Sequence, residues 1–501
     1  MNKPLVLLLS LILQSSVLFS QKQGNNWCFA DSTGIDFNYT PPLVTDSKAL
    51  GIEANAAISD NDGGLLFYVA SKSKFSPANQ SLSLFNDNHL VVNGGDSLLG
   101  HESITQGALI LPLMETEGQF HLFHLVLDFP GVHCSLFYSR IKCNQNSNSF
   151  SLCLKNIPFT IDDSLCEKMV AVRHANGRDW WVLLHGSDNN TFHKLLICND
   201  SVQYWGSQNI GSIYDGWDPY YDVSGQMAFS PDGSMLASAF RYVDVFSFNR
   251  CTGDLSNWRC INGESQRHYG VAFSPSNRFL YVSHTSWINQ FTSLFQYDLE
   301  SSNVYGSQTT LLRILGDSTN IASVKNGPNG KIYVAITPNG NFQVDTINRY
   351  LGVVSLPDSL GLACDFDPQG MSLNGHQCRY GLPNIPDYSL GVLEGSECDT
   401  IPDPPPIQES ENLCYIPNVF SPNGDGNNDY FLVRGEKIEQ IELRVFNRWG
   451  NCVFSTEDIS GGWDGKYNGQ DCPEGVYFYT LMVTYLNGVL EERKGNITLL
   501  R

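Results

Sequence analysis

The segment Met227-Ala228-Phe229-Ser230-Pro231-Asp232-Gly233 returns as Val271-Ala272-Phe273-Ser274-Pro275-Ser276-Asn277, 271 − 227 = 44 residues later. Each copy runs into a short apolar strand, Met235-Leu236-Ala237-Ser238 in one and Phe279-Leu280-Tyr281-Val282 in the other. A second strand follows in both, Val243 to Phe248 and Ser293 to Tyr297. Ile321 to Ile336 repeats the unit around the turn Pro328-Asn329-Gly330. Weaker copies lie upstream: Ala57 to Val69 around Asp62-Gly63-Gly64, Ala108 to Phe123 around Glu117-Gly118, and Val170 to Leu184 around Asn176-Gly177. A strand, a turn that supplies positive φ, and a second apolar strand make a hairpin. Hairpins recurring at about 40–50 residues build propeller blades. The six turn signals fall at 62, 117, 176, 232, 276 and 329, so loops vary in length while the unit persists. Helical periodicity is almost absent. The chain therefore reads as all-β, with a multi-bladed β-propeller over residues 21–397, seven blades being the expectation and six or eight the alternatives. Its seventh blade would combine Gly361 to Tyr388 with an N-terminal strand within Trp27 to Phe37, closing the sheet edges that would otherwise stay open.

Composition narrows the partners. With 42% hydrophobic and 12% aromatic residues the chain has ample material for a core, which excludes wholesale disorder. Lys and Arg number 30 against 51 Asp and Glu, a formal charge of −21. That field repels nucleic acid and anionic lipid, leaving small molecules, glycans, cations and proteins as partners.

Residues 1–20 read MNKPLVLLLSLILQSSVLFS: a positive Lys3, an apolar run from Leu5 to Leu13, then small polar residues. This is the pattern of a secretory signal peptide, with cleavage expected after Ser20. No later stretch approaches the ~20 apolar residues of a membrane span. All 14 cysteines lie beyond the signal, and an exported chain favours disulfides among them. Cys251 and Cys260 bracket a turn, and Cys452 and Cys472 flank a hairpin, so these two pairs are the expected local bridges; buried free thiols are the alternative. No Cys/His spacing suits zinc.

Residues 398–413 contain Pro402, Pro404, Pro405 and Pro406, a stiff spacer. Beyond it, 414–501 has the size of a small β-sandwich of Ig-like type. Within it stand Ile416 to Asp429 (with Pro422, Asn423, Gly424, Asp425 and Gly426), then Asn447-Arg448-Trp449-Gly450, Trp463-Asp464-Gly465, Gly475-Val476-Tyr477, and Lys494 to Arg501. These ordered motifs resemble the gliding-motility-associated C-terminal family, the type B sorting domain of the Bacteroidetes type IX secretion system. The resemblance implies export across the outer membrane and a partner in the type IX machinery. Trp27 to Phe37, Ala57 to Tyr68 and Gly381-Leu382-Pro383-Asn384 also resemble propellers that accompany this tail, a likeness that names no activity. From the residues themselves, Trp449 and Trp463 are expected to fill the core of the thin sandwich.

The candidate sites are few. Asp215, Trp217, Asp218, Tyr220, Tyr221 and Asp222 form the densest acidic and aromatic run. Such side chains suit sugar rings, which stack on aromatic faces and hydrogen-bond carboxylates; a packed loop with solvated acids is the plainer reading. Asn423, Asp425, Asn427 and Asp429 alternate as calcium ligands do, but Asn428 and Arg434 depart from the Gly and Glu of an EF-hand, which favours an Asx turn. No motif requires a cofactor, and calcium is the cation whose loop this spacing resembles. Gly95-Asp96-Ser97-Leu98 spells an esterase signature without the downstream Asp-x-x-His that would activate the serine. His101-Glu102 and Arg267-His268 would matter only if the fold brought them to one channel. The sequence therefore reads as an exported propeller whose loops bind a glycan or protein. A secreted polysaccharide hydrolase or lyase is the rival, favoured if carboxylates with shifted pKa values cluster at the channel.

Overall fold

A computed structural model of the chain describes residues 22–73, 82–113, 118–128, 133–144, 149–198, 201–214, 223–262, 267–285, 291–316, 318, 319–338, 346–399, 414–424, 428–435, 438–485 and 490–501. The signal segment 1–20 and the proline run 402–406 lie outside these residues. The chain divides into two compact units, Met1–Thr400 and Ile401–Arg501.

The first unit is a succession of antiparallel meanders. Strands β1 (Asn26–Phe29), β2 (Thr33–Asp36) and β3 (Leu43–Asp46) form one sheet, and β4 (Ala56–Ser59), β5 (Leu65–Ser71) and β6 (Leu82–Asn86) the next. Strands β7 (Ala108–Pro112), β8 (Gln119–Leu127), β9 (Cys134–Asn144) and β10 (Ser149–Phe159) form a third meander. The fourth consists of β11 (Leu165–Arg173), β12 (Trp180–Gly186), β13 (Thr191–Cys198) and β14 (Ser201–Asn209). The third and fourth touch in one ladder only where Leu165 pairs with Cys134. Three further four-stranded sheets follow. They are β15 (Met227–Phe229), β16 (Met235–Ala239), β17 (Val243–Phe248) and β18 (Leu255–Asn262); β19 (His268–Phe273), β20 (Phe279–His284), β21 (Phe291–Asp298) and β22 (Thr309–Leu315); and β23 (Thr319–Asn326), β24 (Ile332–Pro338), β25 (Tyr350–Val354) and β26 (Phe366–Ser372). The stretch expected to join the N-terminal strand thus divides: residues 366–372 close the last sheet, and beyond them Gln377 O accepts from Thr33 Oγ1 and Arg379 bonds Asp31, both of the first meander.

The turn residues explain this regularity. Gly63, Gly177, Gly233 and Gly330 all have positive φ, and each sits between the first and second strand of its meander. Asn277 takes the same place with φ 66°, a conformation asparagine tolerates better than most residues.

Burial then links each meander to the next. Cys28, Ala57 and Tyr68 form a cluster between the first and second. One large cluster runs from Ile58 through Ile110 to Val182 across the second, third and fourth. Trp181 and Phe246 share a cluster, as do Val245 and Phe295, and Tyr281 and Val334. Finally Trp27, Phe29 and Ile35 pack with Tyr333, Leu351 and Val353, so the last sheet meets the first.

The second unit is built on a five-stranded sheet in the order β28 (Val419–Phe420), β35 (Leu490–Leu499), β34 (Gly475–Tyr485), β30 (Ile438–Phe446), β31 (Cys452–Thr456), with β28 parallel to β35. The short ribbons β27 (Cys414–Tyr415) with β29 (Arg434–Gly435), and β32 (Lys466–Tyr467) with β33 (Gln470–Asp471), complete its described strands. One face of the sheet buries Ile441, Leu443, Val445, Leu481, Val483 and Ile497 beneath Phe431, Val433 and Trp463. Among the described residues, segments and ribbons cover that face where a second full sheet was expected.

Candidate functional site

Backbone hydrogen bonds tie the first strands of successive meanders, and the residues just before them, to one another. The Glu102 carbonyl accepts from the Glu53 amide at 2.8 Å, and Gln106 N donates to Glu167 O at 3.0 Å. Glu167 N donates to Val223 O at 2.9 Å, and Gln226 N to Tyr269 O at 2.7 Å. Two glutamines reach across to more distant strands. Gln106 pairs both amide atoms with the Met227 backbone, at 3.0 and 2.9 Å, and Gln226 bonds Ser323 Oγ and Val324 N at 3.0 and 3.1 Å.

Two carboxyls lie among these bonds. The Tyr269 hydroxyl donates to Glu53 Oε1, and Glu167 Oε2 accepts from Thr105 N at 3.0 Å and from Thr105 Oγ1 at 2.8 Å. Burial pushes the Glu53 carboxyl well above the usual carboxylate range, and the neighbouring Glu167 charge adds to the rise. Burial also raises Glu167, against the two Thr105 hydrogen bonds that favour its ionised form. Beside them Lys168 is fully buried. It donates to Tyr214 Oη and Ala239 O, both at 2.7 Å, and its ammonium lies 4.6 Å from the Tyr214 ring centre. Acceptors and an aromatic face together make that desolvated charge tolerable.

A pH dependence follows from Glu53. The unfolded chain ionises this group near about 4.3, whereas the folded chain holds the proton to higher pH. Its contribution to stability is therefore full below the unfolded value and is lost as pH rises toward the folded one. Glu53→Gln keeps an acceptor for Tyr269 and removes that loss. In calorimetric scans the melting temperature of the variant should match the parent near pH 4 and exceed it increasingly toward pH 8. A pH-independent difference would contradict this assignment.

Residues 380–393 bond to several of these meanders at once. Gly381 N donates to Ile52 O at 2.9 Å, and Ser323 N to Tyr380 O at 3.1 Å. Asn384 gives its backbone N–H to Asn55 O at 2.8 Å and its side-chain amide to Ala108 O at 3.0 Å and Met169 O at 2.9 Å. Tyr388 Oη donates to Ile110 O at 2.8 Å, and Lys325 Nζ to Ile385 O at 2.9 Å. Burial brings the Lys325 ammonium down to about 8. A cavity of about 350 Å³ remains between this segment and the inner strands, lined by Trp27, Gln106, Val172, Phe229, Lys325 and Leu390 among others.

The run Asp215, Trp217, Asp218, Tyr220, Tyr221, Asp222 lies outside the described residues. Its brackets, Tyr214 and Val223, are both buried, against Lys168 and Glu167. Glu102 and Tyr269, the neighbours of His101 and His268, flank Glu53 from two sides, but the imidazoles turn elsewhere. His101 Nδ1 lies 2.9 Å from Ser103 Oγ, and His268 is buried against Phe240 O, its pKa lowered by burial to about 4. Gly95 to Leu98 runs along β6, where Leu84 N donates to Gly95 O at 2.8 Å and Leu98 N to Leu82 O at 3.0 Å, so the esterase-like tetrapeptide is edge structure. Sequence reading missed Glu53, Thr105, Glu167 and Tyr269; the turn repeat just downstream of the inner strands was the one available pointer to them.

In the second unit the motif residues separate by role. Trp463 is fully buried against Phe420 and Tyr477, with Nε1 donating to Lys466 O at 2.9 Å. Asp464 Oδ1 accepts from Lys466 N at 3.0 Å, and Tyr477 Oη donates to Pro473 O at 2.8 Å. Gly465 has φ 76°, and a Cβ there would come within 3.0 Å of Pro422. Trp449 corrects the expectation of a core residue: it is 77% exposed at the Asn447–Gly450 turn, stacked under Arg448. The turn is closed by Asn447 Oδ1, which accepts from Trp449 N and Asn451 N at 3.0 Å, and by Gly450 at φ 80°. Of the calcium-like set, Asp425 and Asn427 lie outside the described residues, as does Gly426. Asp429 Oδ1 accepts from Gly424 N at 2.7 Å.

Neither expected cysteine pair is brought together. Cys452 pairs with Phe446 on the sheet's outward face, whereas Cys472 lies in the core beside Tyr477. Cys251 sits in the turn after β17, while Cys260 faces Asp244 near the other end of that hairpin.

Residues 414–499 match the CHU_C type IX secretion signal domain, which marks the chain for export and implies contact with the secretion machinery. No curated protein matches the chain. Among solved structures it is similar to a functionally unknown protein from Desulfotomaculum acetoxidans DSM 771, at 13% identity over 71% of this chain and 95% of that one, with a TM-score of 0.36. It is also similar to Hsv2p of Kluyveromyces lactis, at 11% identity over 65% and 86% of the two chains, with a TM-score of 0.34. Likenesses this distant assign neither fold nor function. No helix among the described residues is long and apolar enough to cross a membrane.

Proposed function

We propose that this protein is delivered to the cell surface or medium by the type IX route, and that its first unit is a seven-bladed β-propeller binding a glycan or protein at its rim. The propeller reading is supported by seven successive meanders, by the apolar cluster joining the last to the first, and by the hydrogen bonds that converge on Asn384 from three inner edges. One observation carries binding over catalysis. Asn384, Tyr388 and Lys325 spend their polar groups on bonds between the segment 380–393 and its walls, so a ligand meets the rim loops before it meets the axis. Asp215 to Asp222, bracketed by Tyr214 and Val223, supplies the aromatic and acidic chemistry for that contact. A glycan array and a panel of surface proteins probed with the full chain test this reading. Trp217→Ala and Tyr220→Ala should each weaken binding at least tenfold, about 1.4 kcal/mol, without moving the melting temperature. Unchanged affinity in both variants would refute the rim site.

The raised carboxyls of Glu53 and Glu167 favour a second reading, a hydrolase or lyase acting on polysaccharide. A polysaccharide-degradation screen separates the two: turnover abolished by Glu167→Gln would replace the binding reading.

A further inference from the structure

The segment 380–393 leaves the first unit past a pair of thiols. Leu393 N donates to Ala175 O at 2.8 Å, and Ala175 N donates to Arg250 O at 3.0 Å. Arg250 Nη2 donates to Gly391 O, and the Cys251 carbonyl lies 3.0 Å from His174 Nε2. These contacts lay residues 391–393 against the turn that carries Cys251. Ser396 N donates to Leu393 O at 3.1 Å and Asp399 N to Ser396 O at 3.0 Å, a turn that returns Cys398 to the neighbourhood of Cys251, whose thiol acts on that of Cys398. Both cysteines are partly exposed, whereas Cys134 and Cys166, which also lie near each other, are both buried. A small oxidant can therefore reach this pair.

We infer that Cys251 and Cys398 form a disulfide that fastens the end of this segment to the β17–β18 turn. The oxidant is a disulfide of the dithiol oxidoreductase class, met outside the cytoplasm. One cysteine thiolate attacks it, releasing the oxidant's first sulfur as a thiol. The second cysteine then attacks the mixed disulfide and releases the other. Two protons and two electrons pass from Cys251 and Cys398 to the oxidant's two sulfurs, and one S–S bond replaces another. The bond closes a loop of 398 − 251 = 147 positions, which spans β18 to β26 and the segment 380–393 itself. Loops of that size are where a cross-link most restricts the unfolded chain.

The pairing is independent of what the rim binds, and it can be read without export. Purified full-length chain is incubated with oxidised glutathione, alkylated and digested without reduction. Trypsin with a glutamyl endoprotease cuts after Arg250, Arg259, Glu397 and Glu409, which leaves Cys251, Cys260, Cys398 and Cys414 in separate peptides. The expected product is the Cys251 peptide joined to the Cys398 peptide. Both thiols alkylated after oxidation, or Cys251 joined to Cys260, would overturn the pairing. The fastening role is read by limited proteolysis of the oxidised chain: reductant, or Cys398→Ser, should speed cleavage within residues 391–399 several-fold. Equal rates with and without reductant would overturn that role.

Discussion

Trp463→Ala should unfold the second unit and stop export, while Trp449→Ala should leave its fold intact. The two tryptophans sit in comparable glycine-flanked motifs, yet Trp463 is fully buried and Trp449 is 77% exposed. Removing a buried tryptophan side chain costs about 3–5 kcal/mol through lost transfer energy and the cavity left behind. Phe420, Phe431 and Tyr477 would lose their packing partner, and Lys466 O its donor. A unit of this size has little reserve, since its whole stability is typically about 5–10 kcal/mol. An exposed side chain costs little by comparison, because surface substitutions usually stay within about 0.5 kcal/mol. Circular dichroism melts of the isolated second unit would show the contrast. Equal destabilisation by the two substitutions would mean that the core is misassigned.

The second large effect is expected at Asn384. Its side-chain amide gives one hydrogen each to Ala108 O and Met169 O, carbonyls on two different inner strands. Asn384→Ala strips both acceptors of their donor, at about 1–3 kcal/mol for each group left unsatisfied. Asn384→Asp should be worse at neutral pH. A carboxylate brings two acceptor oxygens against two carbonyls, and donation is restored only when the acid is protonated. The expected result is a loss of melting temperature in both variants, larger for the aspartate at pH 7 and narrowing as pH falls toward 4. An aspartate variant as stable as the parent at pH 7 would show that Asn384 is not the donor to these two carbonyls.

How far the sequence disclosed this arrangement depends on the range of each contact. The turns at Gly233 and Asn277 were legible because positive φ restricts the residue locally, and the repeat announced them twice. The strands followed from the apolar runs beside those turns. The course of residues 380–393 was not legible, because Asn384 meets carbonyls 276 and 215 residues away in the chain. The same holds for Glu53 and Tyr269, 216 residues apart. Cys251 was read with the nearest cysteine in sequence, whereas its neighbour in space is Cys398. The misreading of Trp449 has a local cause. Asn447 and Gly450 form a tight turn at the end of β30, and a side chain at a hairpin tip has no facing layer to enter. For Trp463, Gly465 was the useful sign, since only a residue without a Cβ lets Pro422 and Leu499 approach so closely.

The central claim is that residues 414–501 are the address that carries the first unit out of the cell. The most direct measurement is fractionation of a host with a type IX system that expresses the full chain or the chain lacking 414–501, comparing periplasm, cell surface and medium. The full chain should reach the surface or medium, and the truncated chain should accumulate, folded and protease-resistant, in the periplasm. Undiminished surface or medium levels of the truncated chain would contradict the claim.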